Sequence, residues 1–180
     1  DSHRRQRQMC IRDSIKVDQN GKTNIDNIFA VGDVIGPPWL AHVSSTEGLY
    51  VVEHIAKLNP KQIDYDCVPA CTYSKPEIGS IGLSQKILDE RGIDYKVAKS
   101  FFNANGKAVA SSSTEGFIKI LVSNDNHILG AHIIGSNATE MISEFSLAIR
   151  NNLSVENILD TIHPHPTFSE AIFETLMHLK

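Results

Sequence analysis

Past residue 14 the chain carries two apolar rhythms in turn. FIKILV, from Phe117, and HILGAHIIG, from His127, are β-rich runs on either side of the polar turn SNDN, which predicts an antiparallel hairpin. The period then lengthens. Met141, Ile142, Phe145, Ala148 and Ile149 recur on one helical face ending near Asn151-Asn152, with Asn137 and Glu140 spaced as a cap. A short helix follows Ser154, and a last one opening at Thr167 repeats Phe168, Ile172, Leu176 and Leu179 at about every fourth residue. Ser84 fits the cap of a further short helix through Arg91, with Leu83, Ile87 and Leu88 grouped on one side and Gly92 as its stop.

Toward the amino end, Ile15 onward reads as a short strand, an Asn20-Gly21 turn, and an apolar strand Ile28, Phe29, Ala30, Val31 that stops at Gly32-Asp33 and is expected to be buried. After the loop VIGPPWLAH a helix places Val51, Val52, Ile55 and Leu58 on one face, and Asn59-Pro60 ends it. KQIDYD then crosses into a second domain whose elements begin near Cys67. The expected division is residues 15–63 and 64–180. Mixed strands and helices with hairpins, without regular βαβ alternation, make the second domain α+β: an antiparallel sheet with flanking helices. The stretch DSHRRQRQMCIRDS, residues 1–14, clusters arginines and lacks apolar periodicity. It is set aside as a non-native or disordered leader; it also resembles a translated sequencing adapter.

Composition narrows the function classes. With 180 residues, 41% hydrophobic and 21% charged, the chain can bury a sizeable core. A net charge of -4 with scattered basic residues argues against nucleic acid or an anionic membrane as partner. No apolar run is long enough to span a bilayer and the start lacks a secretory pattern, so the protein is expected not to be secreted. Cys10, Cys67 and Cys71 have neither CxxC nor zinc spacing and are expected to be reduced thiols.

Two places carry candidate chemistry. Asp33 ends an apolar strand ahead of a helix start, where α/β folds bind ligands; its carboxylate either accepts a ligand hydroxyl or caps the turn. In HPHPTFSE, two prolines stiffen the chain and His165 lies five residues before Glu170. A carboxylate beside a histidine orients the ring and stabilises the imidazolium, which suits proton transfer. The same Thr167-x-x-Glu170 spacing is a capping box, and pattern alone favours that reading. A metal on His163 and His165 lacks a third ligand cluster, so no metal site is expected.

TNIDNIFAVGD resembles the second flavin motif of the pyridine-nucleotide disulfide oxidoreductases, and GPPWLAHVSSTEG, ACTYSKPEIGSIG and HPHPTFSE follow in that family's order. Within it, the Leu-Ala-His step and the His-Pro-His-Pro start are similar to the dihydrolipoamide dehydrogenase branch rather than to glutathione or mercuric reductases. The resemblance covers Ile15 to the end. It implies the carboxy-terminal piece of an α/β FAD-binding domain followed by a dimerisation domain. It further implies FAD as cofactor near Asp33, Leu40, Ala41, His42 and Pro166, and NAD as co-substrate. His165 would be the base and Glu170 its orienting partner, in a homodimer that serves the lipoyl domains of 2-oxoacid dehydrogenase complexes. The compartment so implied is bacterial cytoplasm or mitochondrial matrix. No GxGxxG fingerprint and no CxxxxC pair occurs in the chain, so a fragment of such an enzyme, inactive alone, is expected; the alternative is a non-catalytic dimerisation module.

Overall fold

The structure is a computed structural model that describes residues 14–180. The leader lies outside the described residues except for Ser14. The chain forms two compact units meeting between Asp64 and Tyr65.

In the first unit the Asp18 carboxylate accepts the amides of Asn20 and Lys22 at 2.8 and 3.0 Å and closes a tight turn. Gly21 sits in that turn at φ 74°, and a single antiparallel bridge joins Lys22 to Phe29. A 3-10 turn, Gly32–Ile35, leads to helix α1, Ala41–Ile55. One expectation fails here. Ile28 is 51% exposed rather than buried, because apolar strands are buried by flanking strands and covering layers, and that one bridge is the segment's β pairing among the described residues. On α1 the buried residues are Val43, Glu47, Tyr50 and Val51; of the predicted face Val51 is covered, Val52 and Ile55 are exposed, and Leu58, also exposed, lies beyond the helix end. The helix is apolar on more than one side, so its periodicity fits two faces.

The second unit is a five-stranded sheet with helices packed on it. Its strands are β1 Ala70–Thr72, β2 Glu77–Gly82, β3 Tyr95–Phe101, β4 Phe117–Ser123 and β5 Ile128–Gly135. The order is β1-β2-β5-β4-β3 and every pair is antiparallel. The β4–β5 hairpin pairs Phe117 with Ile134 and Leu121 with Gly130, and a register shift follows at Leu121/Val122. Short helices α2, Gln85–Glu90, and α3, Gly106–Ala110, fill the connections. Ser84 caps α2, its hydroxyl oxygen accepting the Ile87 amide at 3.3 Å.

Helices α4, Ala138–Arg150, α5, Val155–Leu159, and α6, Glu170–Met177, close the core. Helix α4 packs on β2 and β5, and α6 on β3 and β4. Met141, Ile142, Phe145 and Ala148 of α4 and Phe168, Ile172 and Leu176 around α6 meet Ile118, Ile120 and Ile133 of the sheet in one cluster. The close approach of α4 depends on Gly79, where an added Cβ would lie 2.6 Å from the Ala138 carbonyl oxygen.

The start of α4 differs from the expected cap. Asn137 holds the cap position but is left-handed, φ 61°, and its side chain makes no cap bond, because capping from this position needs extended backbone. Glu77 replaces it from β2: its Oε2 accepts the Thr139 amide at 3.1 Å and the Thr139 hydroxyl at 2.8 Å. Glu77→Ala should therefore destabilise this unit by about 1–2 kcal/mol, read as a lowered urea midpoint with an unchanged slope.

Candidate functional site

The segment from Thr161 to α6 brings the predicted pair together. His165 Nδ1 lies 2.8 Å from Glu170 Oε1. The other carboxylate oxygen, Oε2, accepts the Thr167 amide at 2.8 Å. The two readings of the sequence are thus both present, one on each oxygen. Only half of a capping box forms, since the Thr167 hydroxyl donates to the Pro164 carbonyl at 2.7 Å instead of facing α6. Consequently α6 begins at Glu170 and not at Thr167, which corrects the expected start.

Exposure separates the roles. The His165 side chain is 77% exposed, Glu170 only 23%. With Nδ1 committed to the carboxylate, Nε2 points to no hydrogen-bond partner among the described residues and is open to a reacting group. The Thr167 amide first, and then the His165 ring, hold the Glu170 carboxyl below the usual carboxylate range. Glu170 therefore stays a carboxylate wherever it is needed as an acceptor. A depressed pKa means that the unfolded chain binds the extra proton, so this contribution is full above the ordinary glutamate value and fades as pH falls below it. Glu156, held down by backbone and Ser154 contacts, acts in the same sense, and Glu174, raised by burial, acts against it. Glu170→Gln should flatten the loss of stability on acidification below about pH 4.5, measured by urea unfolding across an acid pH series.

Neighbouring residues fix the loop. Asn105, buried, donates from Nδ2 to the Thr167 carbonyl at 3.1 Å while its Oδ1 accepts the Ala108 amide at 3.0 Å. Phe168 stands edge-on to Phe102 with ring centres 6.0 Å apart. His163, unlike His165, is buried, with Nε2 2.9 Å from Glu144 Oε1 on α4 and Nδ1 3.1 Å from the Thr161 carbonyl. Among the described residues no three His, Cys, Asp or Glu side chains converge as metal ligands. Cys67 and Cys71 are half-buried and form no disulfide among the described residues; the Cys67 thiol donates to the Ser146 carbonyl at 3.7 Å, and burial raises the Cys71 thiol; Cys10 lies outside the described residues.

The remaining predicted residues are in the first unit. Asp33 is exposed in the 3-10 turn, and that turn starts at Val31 with no side-chain cap, so the Asp33 carboxylate is not spent on it. Leu40 is the N-cap of α1, and Ala41 and His42 open the helix. That end has no side-chain cap and no acidic residue in its first turn. Backbone amides at the positive end of a fifteen-residue helix, with a carboxylate ahead of them, fit a ligand with an electron-rich edge and a hydroxyl-bearing chain. A flavin dinucleotide has both. Pro166 immediately follows His165 in the second unit.

Sequence reasoning missed three residues here. Glu47, buried, holds the Gly32 amide at 2.6 Å; a charge at i, i+4, i+7 among Val43, Tyr50 and Val51 was its signal. Asn105 and Glu144 carried no comparable signal, because their partners lie 62 and 19 residues away.

The sheet thus carries at its last helix an exposed histidine oriented by a carboxylate, an arrangement suited to acid–base chemistry. The chain belongs to the pyridine nucleotide-disulphide oxidoreductase family: residues 68–176 match its dimerisation domain, and residues 3–48, which include part of the leader, match the family's main domain. Dihydrolipoyl dehydrogenase from Geobacillus stearothermophilus is 44% identical over 167 residues, 92% of this chain and 35% of the relative. The mitochondrial dihydrolipoyl dehydrogenase of Caenorhabditis elegans is 43% identical over 91% of this chain and 33% of its own length. The chain thus spans about a third of the curated relatives it matches. Among solved structures, LpdA from Mycobacterium tuberculosis superposes with a TM-score of 0.87 at 25% identity, over 93% of this chain and 37% of that one. The HOCl-induced flavoprotein disulfide reductase RclA from Escherichia coli gives 0.84 at 26% identity, over 94% and 39%. Among the described residues, no helix is long and apolar enough to cross a membrane.

Proposed function

We propose that this chain is the carboxy-terminal part of a dihydrolipoamide dehydrogenase, supplying the base for thiol chemistry and the subunit interface. The observation that carries it is the 2.8 Å contact between His165 Nδ1 and Glu170, which turns Nε2 outward. A thiol must lose its proton before its sulfur attacks or donates charge. His165 Nε2 takes that proton from dihydrolipoamide, and Glu170 stabilises the imidazolium that results. In the family's dimer the base works against the partner subunit's redox disulfide, so two chains complete each site. FAD, when bound, supplies the two-electron carrier between that disulfide and NAD. On this reading Asp33 holds a hydroxyl of the flavin's chain, and the helix start formed by Leu40, Ala41 and His42, with the Ala41 amide foremost, favours the flavin's electron-rich edge; the Leu40 amide itself is held by the Pro38 carbonyl. The lipoyl domains of 2-oxoacid dehydrogenase complexes are the partners that deliver substrate.

A graft tests this. Residues 15–180 exchanged for the matching third of the Geobacillus stearothermophilus relative should give a yellow enzyme that reduces NAD with dihydrolipoamide. A chimera that holds flavin but acts only on glutathione would move the assignment to another branch of the family.

The isolated chain is expected to be inactive, and to self-associate. Tyr73 at 81%, Leu147 at 64% and Ile162 at 94% exposure are large apolar side chains in the second unit, of a kind that interfaces cover. Sedimentation at high micromolar concentration should show dimers or larger species, and a strictly monomeric chain would contradict the interface role.

A further inference from the structure

The loop that carries the proposed base is held almost wholly by side chains. From Ile162 to Thr167, no backbone-to-backbone hydrogen bond fastens the segment among the described residues. Its downstream end is secured by the Thr167 contacts to Glu170, Asn105 and Pro164. Its upstream end is fastened by the Thr161 hydroxyl, which donates to the Asn157 carbonyl at 2.9 Å, and by the His163 ring. That ring is 7% exposed, reaches Glu144 and the Thr161 carbonyl, and lies against Phe173 with ring centres 6.4 Å apart.

His165, by contrast, is 77% exposed and makes a single contact. An exposed pair of this kind is weak and does not by itself hold an imidazole in one orientation. Its geometry must come from the backbone beneath it. Pro164 fixes its own φ, so an orientation imposed at His163 passes to His165 with little loss. Glu144 sits on α4 between the core residues Met141 and Phe145, so its carboxylate is carried by a helix whose inner face is packed in the core.

We propose that the His163–Glu144 pair is a positioning brace that transmits the placement of α4 to His165 and keeps its Nδ1 on Glu170. The brace rests on the reading of His165 as the base. The His163 side chain is 7% exposed and that of Glu144 32%, so removing the carboxylate leaves the buried ring without its partner, and Glu144 is the residue to change.

The test uses the whole chain labelled with nitrogen-15, reading the His165 tautomer from its ring nitrogen shifts and the exchange rate of the Thr167 amide. The parent should show the Nδ1–H tautomer. In Glu144→Ala, His165 should populate both tautomers and the Thr167 amide should exchange about tenfold faster, while the Thr139 amide, held by Glu77, keeps its rate. Glu144→Gln, which can still accept from the ring, should restore most of both signals. Should the alanine variant not fold, Glu144→Asp, one methylene too short, gives the same reading. Unchanged tautomer and exchange in a folded Glu144→Ala or Glu144→Asp variant would overturn the brace while leaving the base intact. A parent chain without the Nδ1–H tautomer would overturn both.

Discussion

Changing His165 to Gln in the complete dimeric enzyme is expected to slow the dihydrolipoamide-dependent half-reaction by about 10² to 10⁴-fold, the usual contribution of a positioned base. The substitution preserves side-chain bulk and can still donate to Glu170, so the loop should keep its shape. Because the His165 side chain is 77% exposed, neither flavin content nor folding should depend on it. Stopped-flow reduction by dihydrolipoamide reads this step directly, whereas oxidation of the reduced enzyme by NAD should be nearly unaffected. Glu170→Gln should cost less. It retains the shape and a hydrogen-bond acceptor but loses the charge that supports the imidazolium. Near-normal thiol turnover in His165→Gln would remove the histidine from the chemistry.

The largest stability effect is expected at Phe145. Its side chain is fully buried at the centre of α4's inner face, within the cluster that joins the sheet to α4 and α6. Truncation to Ala removes apolar contact and leaves a cavity that close-packed neighbours only partly fill, at a cost of about 3–5 kcal/mol. That is a large share of the roughly 5–15 kcal/mol by which domains are stable. Far-UV circular dichroism is the suitable probe, since the single tryptophan, Trp39, is in the first unit. A urea midpoint close to that of the parent would mean that the core around Phe145 is not the one described.

What could be read from sequence depended on how far apart the determining residues are. The β4–β5 hairpin, the Ser84 cap and the face Met141, Ile142, Phe145, Ala148 rest on contacts within one or two elements, and each is found in the structure. The cap of α4 was misread because its donor pairs with Glu77, 62 residues earlier, which no local window contains. The Ile28–Val31 segment was expected to be buried because apolar composition implies a cover; whether a cover exists is a property of other segments. For the proposed site, spacing supplied the pair His165 and Glu170 but could not choose between orientation and capping. Both occur, since a carboxylate has two oxygens. The histidine left outside that pair, His163, was weighed only as a metal ligand, because its partner Glu144 lies on another helix.

That shared carboxylate sets the phase of the last helix. Burial of Ile172 and Leu176 fixes how α6 is rotated about its axis, and Glu170, its first residue, is carried round with them. One residue inserted between Glu170 and Ile172 would swing the carboxylate by about 100° and take both oxygens off their partners at once. Spacing in HPHPTFSEAI is therefore constrained in two directions: backward to the histidine by chain length, and forward to the core by helical pitch. Substitutions at Phe173 or Glu174 leave that phase alone, whereas a single insertion beside Ala171 would dismantle the dyad without touching either of its members.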